Sequence, residues 1–234
     1  MSGNYPEALD NLLKANKLTP GEAKVRNNLA MAYFFQKRAN KAINILQEII
    51  EKDPSYSDAR NNLASIYFRQ RKLTKALDQY NIVLEDLVYR HQYRTHHAIG
   101  MIEEEFKNIN KAIAHYKSAV KINPEYCPSF FRLGMIYLQG EDYSNALTSF
   151  KKGSQGTCHQ HPSPLYYQAV VWEKLDDLNQ ASKVYRDVIS IHPKSKEAKK
   201  SQVRLTKLME KDPVLAIPRN LPKDAYDKIK SLKF

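Results

Sequence analysis

Two stretches of the chain, VRNNLAMAYFFQKRANKAINIL from Val25 and ARNNLASIYFRQRKLTKALDQY from Ala59, say nearly the same thing 34 residues apart. The repetition runs well beyond this pair. An alanine recurs at Ala8, Ala42, Ala76, Ala112, Ala146 and Ala181, at intervals of 34, 34, 36, 34 and 35 residues. Four residues after each comes a large side chain: Leu12, Leu46, Tyr80, Tyr116, Phe150 and Tyr185. Twelve residues before stands another small residue, at Ala30, Ala64, Gly100, Gly134 and Ala169, and twelve after a proline falls at Pro20, Pro54, Pro124 and Pro193. A period of this length means stacked supersecondary units, each too small to bury its apolar face alone.

The pattern has a mechanical reading. Small residues twelve apart, on two helices joined by a short turn, let the backbones approach where they cross, and the large residue one turn later fills the space beside the crossing. The proline cannot continue a helix and is expected to start the next one at its first turn. With seven glycines in 234 residues the chain is poor in the residue that tight hairpins need. Hydrophobic residues at 42% and charged residues at 26% are ordinary for a folded chain. No run of 18 apolar residues is present to span a membrane as a helix.

The residues Asn-Leu-Ala-x-x-Tyr, then Ala-x-x-x-Tyr/Phe, then Pro, resemble the tetratricopeptide repeat over about residues 1–193. The resemblance implies an all-α, right-handed superhelical solenoid of helix pairs. The register divides the chain into a partial first repeat over 1–20 (second helix only) and repeats over 21–54, 55–90, 91–124, 125–160 and 161–193. A capping helix follows over 194–211, with a basic tail over 212–234. Val203 takes the slot that earlier repeats fill with Ala or Gly, and its branched side chain would hold off a crossing neighbour. The sequence from Asp212 to Pro222 is expected to be extended. Lys223 to Phe234 forms a short helix in this reading, with Ala225, Ile229 and Leu232 on one face.

The register breaks in three places. The first repeat lacks its first helix, which suggests a truncated or misplaced start or a stack that opens on half a repeat. Val88 replaces the proline of the third repeat and is followed by a two-residue insertion, and Cys158 replaces that of the fifth with one residue added. Such departures either re-aim successive repeats or are loop drift. The two cysteines, Cys127 and Cys158, form no CxxC pair and are too few for a disulfide framework. CHQH from Cys158 reads as an exposed polar loop, with no second ligand pair at zinc-site spacing.

The candidate site is the concave face of the first helices. There Asn27, Met31 and Phe34 (with Phe35 beside it) align with Asn61, Ser65 and Phe68, with His97, Met101 and Glu104, and with Phe131, Met135 and Leu138. Methionine and phenylalanine adapt to irregular apolar surfaces, and asparagine pairs with peptide backbone. The row therefore suits a peptide or amphipathic helix of another protein, unless the same side chains pack between repeats. Chaperone-binding members of the family clamp a terminal carboxylate with Lys, Arg and Asn, whereas the corresponding positions here hold Asn27, Met31 and Pro128.

The sequence carries no phosphate loop, no HExxH and no nucleophile elbow, so the reading is non-catalytic, with no cofactor and no metal. His91, His96 and His97 read as polar surface or groove lining. Net charge is +12, and from residue 194 onward twelve Lys or Arg face five Asp or Glu. Attraction to an anionic surface is therefore strongest in the tail, while nucleic acid is disfavoured because no aromatic platforms interleave with those charges.

Tyr89, Arg94, Ile99-Gly100 and Ala112 also resemble the third-to-fourth junction of the pilotins, the tetratricopeptide lipoproteins of type IV pilus biogenesis. That likeness implies a periplasmic, outer-membrane-associated protein that binds a secretin subunit, and it requires a lipoprotein signal upstream of Met1. With Met1 as the true start, the expectation is instead a cytoplasmic adaptor in bacterial motility or polarity signalling, with a small GTPase or response regulator as partner.

Overall fold

The computed structural model describes residues 5–216. These form twelve α-helices and two short 3-10 turns, and no strand occurs among the described residues. The chain divides into two compact units, one ending at Ile122 and one beginning at Asn123. The first holds α1 (Tyr5–Leu18), α2 (Ala23–Phe35), α3 (Ala39–Lys52), α4 (Ser57–Arg69), α5 (Leu73–Glu85), α6 (Gln92–Glu105) and α7 (Ile109–Ile122). The second holds α8 (Cys127–Gln139), α9 (Tyr143–Lys152), α10 (Pro162–Lys174), α11 (Leu178–Ile191) and α12 (Lys196–Lys211). The expected helix over 223–234 lies outside the described residues.

Small residues decide how closely the helices cross. Ala30, Ala42, Ala64, Ala76, Ala112, Ala146, Ala169 and Ala181 are all 0% exposed. Gly100 and Gly134 lie against the rings of Tyr116 and Phe150, each from the second helix of the same pair. Around these crossings Leu46, Tyr116, Phe150 and Tyr185 are fully buried, each contributing about 1.5–3 kcal/mol on apolar area alone. Within each unit the second helix of one pair also packs on the first helix of the next, as α3 on α4 and α5 on α6. Leu9 of α1 packs with Leu29 and Ala32 of α2, so the isolated leading helix is covered on that side.

The left-handed position of the turn inside each pair is never glycine. Lys37, Arg71, Lys107, Glu141 and Asp176 all have φ between 56° and 64°. Around each, two backbone bonds close the helix end: Arg38 N–H donates to Tyr33 O at 2.9 Å and Lys37 N–H to Phe34 O at 2.9 Å, and the other four turns repeat the arrangement. This is the Schellman closure, which normally selects glycine at the left-handed position.

The prolines behave differently from the expectation. Pro20, Pro54, Pro124 and Pro193 lie in the turns between pairs, after the end of α1, α3, α7 and α11, and not in the first turn of the next helix. They stop the preceding helix. Pro128 and Pro162 are the ones that open helices, at the start of α8 and α10.

Where Val88 replaces proline, the chain is pinned by side chains instead. Ser57 Oγ donates to Asp86 at 2.6 Å, Tyr89 OH donates to Asp58 at 3.0 Å, and Gln92 donates to the Asp86 carbonyl at 2.6 Å. In the second unit α12 spans Lys196–Lys211, capped by Ser195 Oγ accepting from Ala198 N–H at 2.9 Å. Val203 is 58% exposed on it. Of the run expected to be extended, Pro213–Ala216 form a 3-10 turn, and 217–222 lie outside the described residues. The turn buries Leu215 among α11 and α12 residues and lets Arg186 donate to the Leu215 carbonyl.

The cysteine reading is corrected in one respect. Cys127 and Cys158 form a disulfide with Cα atoms 5.4 Å apart, and Cys158 is 2% exposed within a 3-10 turn over Gly156–Gln160. His159, Gln160 and His161 are exposed, as expected of a polar loop, whereas Cys158 is withdrawn into the bond. The sulfur at the missing-proline slot ties the end of the α9 segment back to the first residue of α8.

Candidate functional site: the face of the first helices

In the first unit α2 touches α4 and α4 touches α6, so the first helices form a continuous layer with the second helices packed behind it. The expected groove residues are distributed along this layer, and they are not equivalent. Asn27 is buried, and its carboxamide oxygen accepts from Asn62 Nδ2 at 2.9 Å, tying α2 to α4. Asn61 accepts from Thr95 Oγ1 of α6 at 3.1 Å. Both asparagines serve the joints between repeats in this structure.

Met31 and Phe34 are half-buried against the α2–α4 core, with the Phe34 ring 5.8 Å from that of Phe35. Phe35 is 47% exposed. Phe68 is half-buried against the α4–α6 core, and the guanidinium of Arg69 lies 5.9 Å from the Phe34 ring. The His97 ring lies tilted against that of Tyr116 at 5.3 Å, Met101 is half-buried one turn later, and Glu104 accepts from the Tyr116 hydroxyl. What remains accessible on this layer is an apolar row in which polar groups are mostly engaged.

The second unit repeats the layer with α8, α10 and α12. Phe131 and Met135 pack half-buried with Phe150 and Tyr167, the Phe131 and Tyr167 rings 5.7 Å apart. Phe131 also walls a cavity of about 200 Å³ with Cys127, Pro128, His161, Ser163 and Pro164. The disulfide thus fixes one rim of that cavity.

Of the histidines, His91 is exposed while His96 faces His115 of α7 with their Nδ1 atoms 3.0 Å apart. Burial lowers both pKa values, and His115 lowers that of His96 further. Two neutral imidazoles, one donating and one accepting, fit this contact.

Four stretches match the tetratricopeptide repeat family: residues 1–54, 29–87, 93–126 with 128–154, and 165–195. The chain is a tetratricopeptide repeat protein. Among curated relatives of this TPR chain, Superkiller protein 3 of Schizosaccharomyces pombe is 34% identical over 70 residues, which is 30% of this chain and only 5% of that protein's length. Solved structures match more broadly. PilF of Pseudomonas aeruginosa superposes with a TM-score of 0.71 at 17% identity, over 86% of this chain and 90% of that one. PilW, titled a type IV pilus biogenesis factor, gives 0.70 at 18% identity over 84% and 90%. YrrB, titled a TPR protein with an unusual peptide-binding site, gives 0.60 at 17% identity over 83% and 99%. At these identities the likeness is one of fold.

The TPR register also continues into α12. Adding the 34-residue period to Tyr166, Val170 and Glu173 of α10 gives Lys200, Arg204 and Lys207. These residues meet across a cleft: Tyr166, Glu173, Lys200, Val203, Arg204 and Lys207 line a space of about 520 Å³. Lys200 Nζ lies 5.6 Å from the Tyr166 ring centre. Glu173 accepts from Arg204 at 2.9 Å and from Tyr185 OH at 2.8 Å. Burial pulls the Arg204 pKa down, but Glu173, Tyr185 and Tyr166 together outweigh it and the net shift is upward, so the guanidinium stays charged. Reading α12 as a cap hid this set, although the period alone would have placed it.

Proposed function

We propose that this TPR chain is a non-catalytic interaction scaffold that holds a peptide or amphipathic helix of a partner protein along the face of its first helices. The observation that carries the reading is the half-exposed apolar row of Met31, Phe34, Phe68 and Met101 on three first helices of the first unit, each touching the next; within the second unit Phe131 and Met135 take the equivalent positions. Such a layer offers apolar anchors at helical spacing on a pre-formed surface, which lowers the ordering cost of capture. The peptide-binding site named for YrrB supports the reading by likeness of fold.

The finer proposal is a role in type IV pilus or secretin assembly, for which the fold likeness to PilF and PilW is one support. The Cys127–Cys158 bond is the other. Disulfides persist in oxidising compartments and are rare in reducing cytosol, so the link favours a periplasmic setting over a cytosolic adaptor. The test is a double variant, Met101→Glu with Met135→Glu. It keeps a wild-type thermal melt and loses capture of a secretin subunit in pull-down; capture at wild-type level would show that the partner does not use this face.

A further inference from the structure

We propose that the cleft between α10 and α12 receives an acidic stretch of the segment held on the first-helix face. The inference rests on the groove reading above and adds the chemistry of the partner at one end.

Within the second unit the first-helix face changes character from helix to helix. Phe131 and Met135 on α8 are apolar, Tyr166 and Val170 on α10 keep an apolar body, and α12 presents Lys200, Arg204 and Lys207 at the equivalent positions. The α10–α12 cleft contains one carboxylate, Glu173, already shared by Arg204 and Tyr185. Lys200 and Lys207 therefore add positive charge beyond the Arg204–Glu173 pair. Val203, where earlier repeats have Ala or Gly, stands 58% exposed in the cleft wall. Complementary charge fits a carboxylate-bearing segment whose apolar residues lie toward α8. The chain's own sequence beyond Ala216 is net basic, so its charge does not complement this cleft. A flat anionic membrane fits a recessed space of about 520 Å³ less well than a side-chain-bearing peptide.

A random peptide display library selected on the intact chain tests this. Expected are peptides with apolar anchors flanked by Asp or Glu. Synthetic copies in which those acids become Asn or Gln bind about five- to ten-fold more weakly at low salt, with the gap closing at high salt. In K200E/K207E the acidic preference disappears while apolar anchors are still selected. Both lysines are exposed, so the circular dichroism melt is unchanged, and K200Q/K207Q serves if the charge reversal perturbs folding. Apolar peptides without acidic bias, or a bias that survives both variants, overturn the acidic-stretch proposal and leave the groove reading standing. Absence of any enriched peptide, or selection unaffected by Met135→Glu, removes the groove reading and this proposal together. Lysine-sensitive binding of phosphatidylglycerol vesicles, with no acidic peptides selected, replaces the peptide by a lipid surface.

Discussion

The ring of Phe150 occupies the place where a methyl group on Gly134 would sit: a Cβ there would lie 2.5 Å from Cε1 and 2.6 Å from Cδ1. The same relation joins Gly100 to Tyr116, at 2.7 Å. Glycine is used at these crossings for room, since both residues are in ordinary helix. Gly134→Ala therefore lowers stability by about 1 kcal/mol or more, although alanine gains about 1 kcal/mol in helix propensity. Thermal melts check this, and adding Phe150→Leu recovers part of the loss. A Gly134→Ala melt at or above wild type would contradict the packing described.

The disulfide gives an independent prediction. It joins residues 31 apart in sequence, and closing a loop of that length contributes about 2–4 kcal/mol. Reductant lowers the unfolding midpoint, and Cys127→Ser with Cys158→Ser melts at the reduced value whether or not reductant is present. Two thiols titrating in the native, unreduced protein would show that the bond does not form.

The His96–His115 contact makes stability depend on pH. Burial holds both folded pKa values below the ordinary one, with His115 adding to the effect on His96; at His115 nearby Glu103 opposes it and Lys111 reinforces it. The unfolded chain titrates near about 6.5. Between the lowered folded values and that point the unfolded state binds more protons, so stability falls as the solution is acidified. His192, also lowered by burial and by His159, adds a background in the second unit. The difference between wild type and His115→Gln isolates the pair: the variant's melting temperature drops less from about pH 7.5 to about pH 5.5. Equal drops would remove the pair from the pH response.

Much of the fold could be read from the sequence because crossings impose it. Small residues at Ala30, Gly100 and Gly134, each sixteen before a large one, leave a signal that substitution would erase. The turn residues left none, since Lys37, Arg71, Lys107, Glu141 and Asp176 adopt a conformation usually advertised by glycine. The disulfide was hidden because its partners occupy no pair motif and one replaces a proline. Helical spacing aligned Met31, Met101, Phe131 and Met135 on the first helices, where they lie half-buried, but spacing alone does not separate a side chain open to a ligand from one spent on a neighbouring repeat. Asn27 and Asn61 proved to be of the second kind, because Asn62 and Thr95 stand opposite them on the next first helix.

The five methionines offer the most direct measurement of partner capture by the first-helix face. Met31, Met101 and Met135 take one equivalent position of the repeat on α2, α6 and α8, whereas Met209 packs into the core around α11 and α12. Carbon-13 methyl spectra of methionine-labelled protein, recorded during titration with a display-selected peptide, report on all of them at once. Shifts at Met31, Met101 and Met135 with Met209 unmoved are the predicted result. Saturable peptide binding that leaves those three resonances in place would contradict it.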